Sequence, residues 1–292
     1  MNNISWRHHY IPEFYLKGFT NQDGKFKIFD VSRQLFIKNG KDFSTESYFF
    51  EEDANTIRTD KGEDDFIENR FGDIDNRVAG LFNKLRSAQA DTRFGLDEDD
   101  MPLLQHFVSV LFWRIPTNYD QIKKLINERE LHEFGLLLKS KSTNEIVRDE
   151  ELENEIRNDP NFFKAIKLLL PYLTYKRLLD CRTPLTIQPF PEQLPALCSD
   201  NPVIFESQNP DIYYDDFIFP LSHTLVFIRG KKLNDNVLVH IKIAIDQILL
   251  KQAKQYVSCT DMLYVEMLNK LNKKKGRSLE ELKNYVFRTL IG

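Results

Sequence analysis

The stretch Met101 to Pro116, MPLLQHFVSVLFWRIP, constrains the fold more than any other part of the chain. Asp100 and Pro102 suit a helix start, because an acidic side chain can cap the first turn and proline's missing N–H is not needed there. Pro116 disfavours helical backbone at the residue before it and stops the helix. Between these limits Leu103, Leu104, Phe107, Val108, Val110, Leu111 and Phe112 leave almost no polar face. A helix that is apolar all round must be covered on every side. The pattern therefore predicts a central helix with the rest of the chain packed about it.

The chain has the material for that core: of 292 residues, 41% are hydrophobic, which excludes a disordered chain. Ile67, Phe71, Ile74, Val78, Leu81 and Leu85 recur at three and four and predict a helix from Glu63 to Ser87, its first turn favoured by Glu63, Asp64 and Asp65. Residues 118–139, 149–158 and 161–179 carry further helical patterns. GKFKIFDVSRQLFIKNG alternates as a β-hairpin, and FSTESYFF adds a short strand. Beyond Arg182, prolines at 184, 189, 191, 195, 202, 210 and 220 forbid a long helix, while LTI, VIF, FIF and TLVFI read as strands. Their links are too short for helical crossovers, so the pairing is antiparallel.

The chain closes with helices over 241–255, 261–271 and 278–290, the last opened by the capping box Ser278-x-x-Glu281. The fold class is α+β: a mostly helical single domain over 1–292, with an N-terminal β-hairpin and a second short antiparallel β region packed on the central helix. Its blocks are β-rich 1–60, helical 61–181, β-rich 182–232 and C-terminal helices 240–291.

A net charge of −4 exerts no global pull toward nucleic acid or anionic lipid, so any basic site is local. Cys181, Cys198 and Cys259 form no CxxC pair, which argues against a disulfide framework and a cysteine zinc site and fits a reducing cytosol. MNNISWRHHY lacks the apolar run of a signal peptide, and no segment approaches the ~18 apolar residues of a membrane span. A cytoplasmic protein without membrane contact is expected. Its oligomeric state stays open. No phosphate-binding glycine loop, dinucleotide fingerprint, serine elbow, kinase set or HExxH pattern is present. Arg129 and His132 lie too close for the spaced pair of HEPN ribonucleases.

Four segments concentrate the reactive residue types. In Trp6-Arg7-His8-His9-Tyr10-Ile11-Pro12 the two histidines sit on extended chain and point to opposite sides, one inward and one outward. An inward histidine is a base, a ligand or one part of a structural clasp. In Ser199-Asp200-Asn201-Pro202, Asp200 is either a turn former or a carboxylate at a strand end, where enzymes place acids and metal ligands. Arg114 ends the apolar helix and, if buried, must meet a carboxylate or phosphate; Asp200, Glu68 and an anionic ligand are the candidates. Phe219-Pro220-Leu221-Ser222-His223 is a turn, because adjacent Ser and His on extended chain point apart. His106 is a core residue, and the basic run Lys273 to Arg277 a solvated loop.

RHHYIPEFYLKGFT, DDFIENRF, LFWRIP, SDNPVIF and FPLS follow one another in the order seen in the uncharacterised bacterial domain-of-unknown-function family 4238, which the chain resembles from Arg7 to about Ser258. The resemblance brings His8, His9, Pro12, Glu68, Arg114, Asp200, Pro202 and Pro220 together as motif positions and carries no reaction with it. Two functions are expected from the residues. The first is a phosphodiester hydrolase, nuclease-like, in the setting of a phage-defence or stress effector, with a nucleic acid or nucleotide as substrate. His8, His9, Asp200 and Arg114 are then catalytic, Asn201, Arg7 and Glu68 bind substrate, and a divalent metal ion is the candidate cofactor. The second is a non-catalytic ligand-sensing or protein-interaction module in which the same cluster is a polar network.

Overall fold

A computed structural model of the chain describes residues 6–87, 96–176, 184–230 and 237–291. Cys181 lies outside the described residues, and the helix expected over 161–179 ends earlier, at Leu173, with Thr174 as its C-cap. The N-terminal part carries β1 (Arg7–His9), α1 (Glu13–Leu16), β2 (Lys25–Asp30), β3 (Leu35–Phe36), β4 (Asp42–Ser44), β5 (Phe50–Glu52), β6 (Ile57–Thr59) and β7 (Gly62–Asp64). Helices α2 (Phe66–Ser87), α3 (Asp100–Arg114), α4 (Tyr119–Glu128), α5 (Glu150–Asn158) and α6 (Pro160–Leu173) follow. Then come β8 (Leu185–Pro189), β9 (Leu197–Ser199), β10 (Ile204–Phe205), β11 (Phe217–Pro220) and β12 (Leu225–Arg229). The end is α7 (Val239–Gln252), β13 (Tyr256–Cys259), α8 (Met262–Lys275) and α9 (Leu279–Leu290). The fold is α+β and mostly helical, as the pattern predicts.

Helix α3 is covered as expected: every residue from Leu104 to Arg114 is buried except His106. The second β region is antiparallel in the order β10-β11-β12-β8. Its strands are apolar on both faces because both faces are covered. Phe205, Phe217, Phe219 and Phe227 join the apolar cluster of α2, α3 and α6, while Ile204, Ile218, Val226 and Ile228 join that of α7, α8 and α9. Alternation along a strand sends successive side chains to opposite faces, so one sheet divides two helical layers.

The hairpin β2–β3 pairs Phe29 with Phe36, and its turn is fixed by the Asp30 carboxylate, which accepts from Ser32 Oγ at 2.7 Å and Arg33 N at 2.9 Å. Strand β13 falls between the expected C-terminal helices and has no counterpart in the sequence reading. It pairs β2 on one side and β9 on the other, so a segment near residue 258 joins the N-terminal hairpin to the second β region. The helix expected from Glu63 begins three residues later. Gly62 adopts φ +126°, a conformation open to glycine, and turns 62–64 into a strand on β6; the Asp64 carboxylate then accepts from Phe66 N at 2.6 Å. Asp100 is the first residue of α3 rather than its cap; its buried carboxylate accepts from Asp97 N and from Lys84 Nζ. Helix α4 ends at Glu128 instead of reaching 139, and Lys273 to Lys275 form the last turn of α8 rather than a loop. The capping box at Ser278 forms in both directions.

Cys198 and Cys259 are free and buried, and burial pushes the Cys259 thiol up to about 12. Among the described residues no helix is long and apolar enough to cross a membrane.

Because Val257 is fully buried at the centre of the β2–β13–β9 sheet, Val257→Ala should cost about 2–3 kcal/mol in urea unfolding through lost apolar burial and the cavity left behind. A change below half a kcal/mol would show that β13 does not hold the two β regions together.

Candidate functional site

Strand β1 pairs antiparallel with β5, setting His8 opposite Glu51 and His9 opposite Phe50. The two histidines point to opposite faces, as extended chain requires, but neither is solvated. His8 is fully buried and its Nδ1 accepts from Asn55 N at 2.9 Å. The Asn55 side chain in turn donates to Glu68 Oε2 at 2.6 Å. His9, read as one of an inward and outward pair, is covered by the Phe50 ring at 5.6 Å and approaches Glu13 Oε1 at 3.9 Å. Burial, reinforced by the positive charge of Arg114, pulls its imidazole down to about 4.

Arg114 is buried at the end of α3 and forms a forked pair with Asp75 on α2, Nη1 lying 3.0 and 2.8 Å from the two carboxylate oxygens. This corrects the expected partners: neither Asp200 nor Glu68 takes the pairing role. The guanidinium also lies 4.7 Å from the Phe71 ring. Burial pushes the Asp75 carboxyl up against the pull of Arg114.

Asp200 is buried and its carboxylate accepts three backbone N–H groups, from Lys254 at 3.0 Å, Gln255 at 2.6 Å and Tyr256 at 2.9 Å. Burial raises its carboxyl, with these N–H donors opposing. Its geometry is that of an anchor that fixes the entry of β13. Asn201 sits in the same turn, its N–H bonded to Ser199 Oγ and its carbonyl accepting from Gln252. Arg7 lies on the outer face of β1, over the rings of Trp6 at 4.4 Å and Phe50 at 4.9 Å. Asp200 lines a cavity of about 310 Å³ with Tyr10, Glu51, Thr117 and Lys254, which His8, His9 and Arg114 do not reach. Four residues expected to converge on one cavity are thus held apart: His8, Arg114 and Asp200 each have their own polar partners, and His9 lies against Phe50 and Glu13. Among the described residues no three His, Cys, Asp or Glu side chains are grouped to hold a metal ion.

A different constellation lines a cleft of about 450 Å³ between β5, α4, α5 and α6, within the size range of small-molecule sites. Its floor is Lys167 of α6, which is 1% exposed. The ammonium lies 3.3 Å from the Ala54 carbonyl and 3.5 Å from Tyr119 Oη, and the same hydroxyl donates to Glu51 Oε2 at 2.7 Å. Burial pulls Lys167 down to about 7; Glu51 opposes the shift and Arg114 adds to it. Phe163 and Ile126 form an apolar wall, and Lys123, Arg157 and Lys164 surround the opening. Arg157 is anchored by the Ile126 carbonyl and Lys164 by the Thr56 carbonyl at 2.5 Å.

The sequence reading missed Glu51, Asp75, Tyr119 and Lys167. A signal existed for Lys167: it stands in NFFKAIKLLLPYL on an apolar face, the condition that drew attention to Arg114. Lys164 and Lys167, three apart, share that face.

The fold and this arrangement define an α+β protein with an internal polar frame and a separate basic cleft. Residues 7–272 match the family described as "Protein of unknown function (DUF4238)", and the chain belongs to that family. No curated protein and no solved structure matches the chain.

If the Arg114–Asp75 pair is part of the frame, Arg114→Met should destabilise the protein by about 3 kcal/mol by leaving the half-buried Asp75 carboxylate without its partner, and adding Asp75→Leu should recover most of that loss. Chemical denaturation of the two variants checks it; an Arg114→Met variant as stable as the parent would contradict it.

The unfolded chain takes up the His9 proton near pH 6.5 and the folded chain only near 4. Between those values the unfolded state binds more protons, so stability falls as pH drops. His9→Gln should remove up to about 3 kcal/mol of that acid loss, read from unfolding free energies across pH 4 to 7.

Proposed function

We propose that the chain is a ligand-binding module that takes a small phosphate-bearing anion, the class to which nucleotides belong, into the cleft above Lys167. The observation that carries this reading is a buried ammonium whose hydrogen-bond neighbours are uncharged oxygens. A cation held out of water needs a compensating anion or gives up its proton. Lys123 and Lys164 add positive charge around the opening, and Arg157 shares its own with Glu153 at 3.9 Å, against Glu51 and Asp159, so the field inside favours an anion. Glu51 is engaged by Tyr119, and Asp159 caps α6 by accepting from Asn161 N. The His8, Arg114 and Asp200 arrangements then act as the frame that places β5 and α6. A cytoplasmic setting accords with the free buried thiols of Cys198 and Cys259.

A second reading uses the same cleft for phosphodiester hydrolysis, and Lys167 favours it, because an amine that titrates near neutral pH can take a proton from attacking water. The products would be a phosphomonoester and an alcohol. This reading predicts release of nitrophenolate from bis(p-nitrophenyl) phosphate with a rate that rises through about pH 7. No release with binding intact leaves the ligand-binding reading standing alone.

At pH 8 the free Lys167 is mostly neutral, and an anion beside it raises its proton affinity. Titration calorimetry with inorganic phosphate in buffers of different ionisation enthalpy should therefore show uptake of close to one proton per site. Lys167→Met should abolish the uptake and weaken binding about tenfold or more, and Lys164→Gln should weaken it similarly. Absence of phosphate binding, or parental affinity in Lys167→Met, would overturn the proposal.

A further inference from the structure

Two segments singled out in the sequence, Leu16-Lys17-Gly18-Phe19 and Pro220-Leu221-Ser222-His223, meet on the side of the molecule formed by the end of α2. Gly18 allows the meeting: a Cβ there would lie 3.1 Å from both the Leu221 carbonyl oxygen and Ser222 Cβ. The His223 N–H donates to the Gly18 carbonyl at 3.0 Å, and His223 Nδ1 lies 3.3 Å from the same oxygen. The β11–β12 turn is thereby locked onto the N-terminal segment. Ser222 Oγ and Thr224 Oγ1 stand 3.1 Å apart within it.

The junction encloses a cavity of about 360 Å³. One part of its wall is apolar, from Leu85, Phe190 and Leu225; the other carries Lys17, Arg86, Ser222 and Thr224. Arg86 is tethered rather than neutralised: Nη1 donates to the Phe14 carbonyl at 2.8 Å and Nη2 to Asn83 Oδ1 at 2.7 Å, both uncharged. A guanidinium has five N–H donors, so donors remain for a ligand. The Arg86 side chain is exposed, so its remaining donors are open to a ligand entering from solvent. Glu192 is the acidic residue of the lining, which leaves Lys17 and Arg86 with one net positive charge.

We propose that this cavity is a binding site for a small carboxylic acid with an apolar tail. Its carboxylate would meet Arg86, Lys17 and the Ser222–Thr224 hydroxyl pair, and its tail would lie on Leu85, Phe190 and Leu225. The planar donor fork of arginine matches a carboxylate. A net charge of one favours a monoanion over a phosphate dianion, and the apolar wall favours an organic acid over an inorganic ion. The site is distinct from the cleft above Lys167 and does not depend on it.

The test is amide-resolved NMR of the full chain titrated with hexanoate, hexanol and inorganic phosphate. Hexanoate should give saturable shifts at Gly18, Ser222 and Thr224, while hexanol and phosphate leave those amides unmoved. Arg86→Gln should weaken hexanoate about tenfold, and Arg86→Lys should restore part of the affinity. Because Arg86 also bonds the Phe14 carbonyl, Lys17→Gln, on an exposed side chain, serves as a second variant that leaves packing intact and should weaken binding as well. Lys164→Gln, in the other cleft, should not change it. The proposal is overturned if hexanoate gives no saturable shift, if hexanol or phosphate matches hexanoate, or if Lys17→Gln and Arg86→Gln bind as the parent does.

Discussion

Arg114 cannot leave water without a partner, and the requirement shapes the helical half of the molecule. The helix that carries it is apolar on nearly every face, so its last turn is buried whatever side chain it bears. Asp75 meets the charge from α2, and the forked contact sets where the end of one helix crosses the middle of the other. The pair does not cancel its field completely. Arg114 disfavours the protonated forms of both His9 and Lys167. One buried charge thus reaches the N-terminal motif on one side and the floor of the basic cleft on the other.

The N-terminal motif follows the same logic of satisfied burial. His8, Asn55 and Glu68 form a chain of hydrogen bonds from β1 to α2, and Asp200 gathers three N–H groups at the entry of β13. Removing such partners leaves buried polar groups unpaired, which costs more than the bonds contribute. Glu51 connects this frame to the cleft: it lies opposite His8 across the β1–β5 pair and accepts from Tyr119 beside Lys167. The frame sets the cleft's geometry, and the cleft holds the group whose protonation is poised to change.

What was legible in the sequence had a local cause. Helix α3 was legible from its uniform apolarity, α2 from its three-and-four spacing, and the start of α9 from a capping box four residues long. Strand β13 was not, because four residues between two helices carry too short a period to register, and its partners lie about 60 and 230 residues away. Residues 62–64 misled because acids that suit a helix start also suit a turn, and Gly62 decided between them. The demand that Arg114 find an anion was legible, but not which one, since Asp75 sits beside the apolar stripe of α2 with nothing local to mark it. His8, Arg114 and Asp200 were recognised as belonging together in the motif, yet chemistry and buried structure draw on the same residue types.

The most direct test of this account is the titration of Lys167 itself, followed by NMR of lysine side chains labelled at Cε and assigned with Lys167→Met. The account predicts an amine that titrates near pH 7 and moves upward when inorganic phosphate is added. A Lys167 that titrates in the ordinary lysine range and ignores phosphate would contradict it.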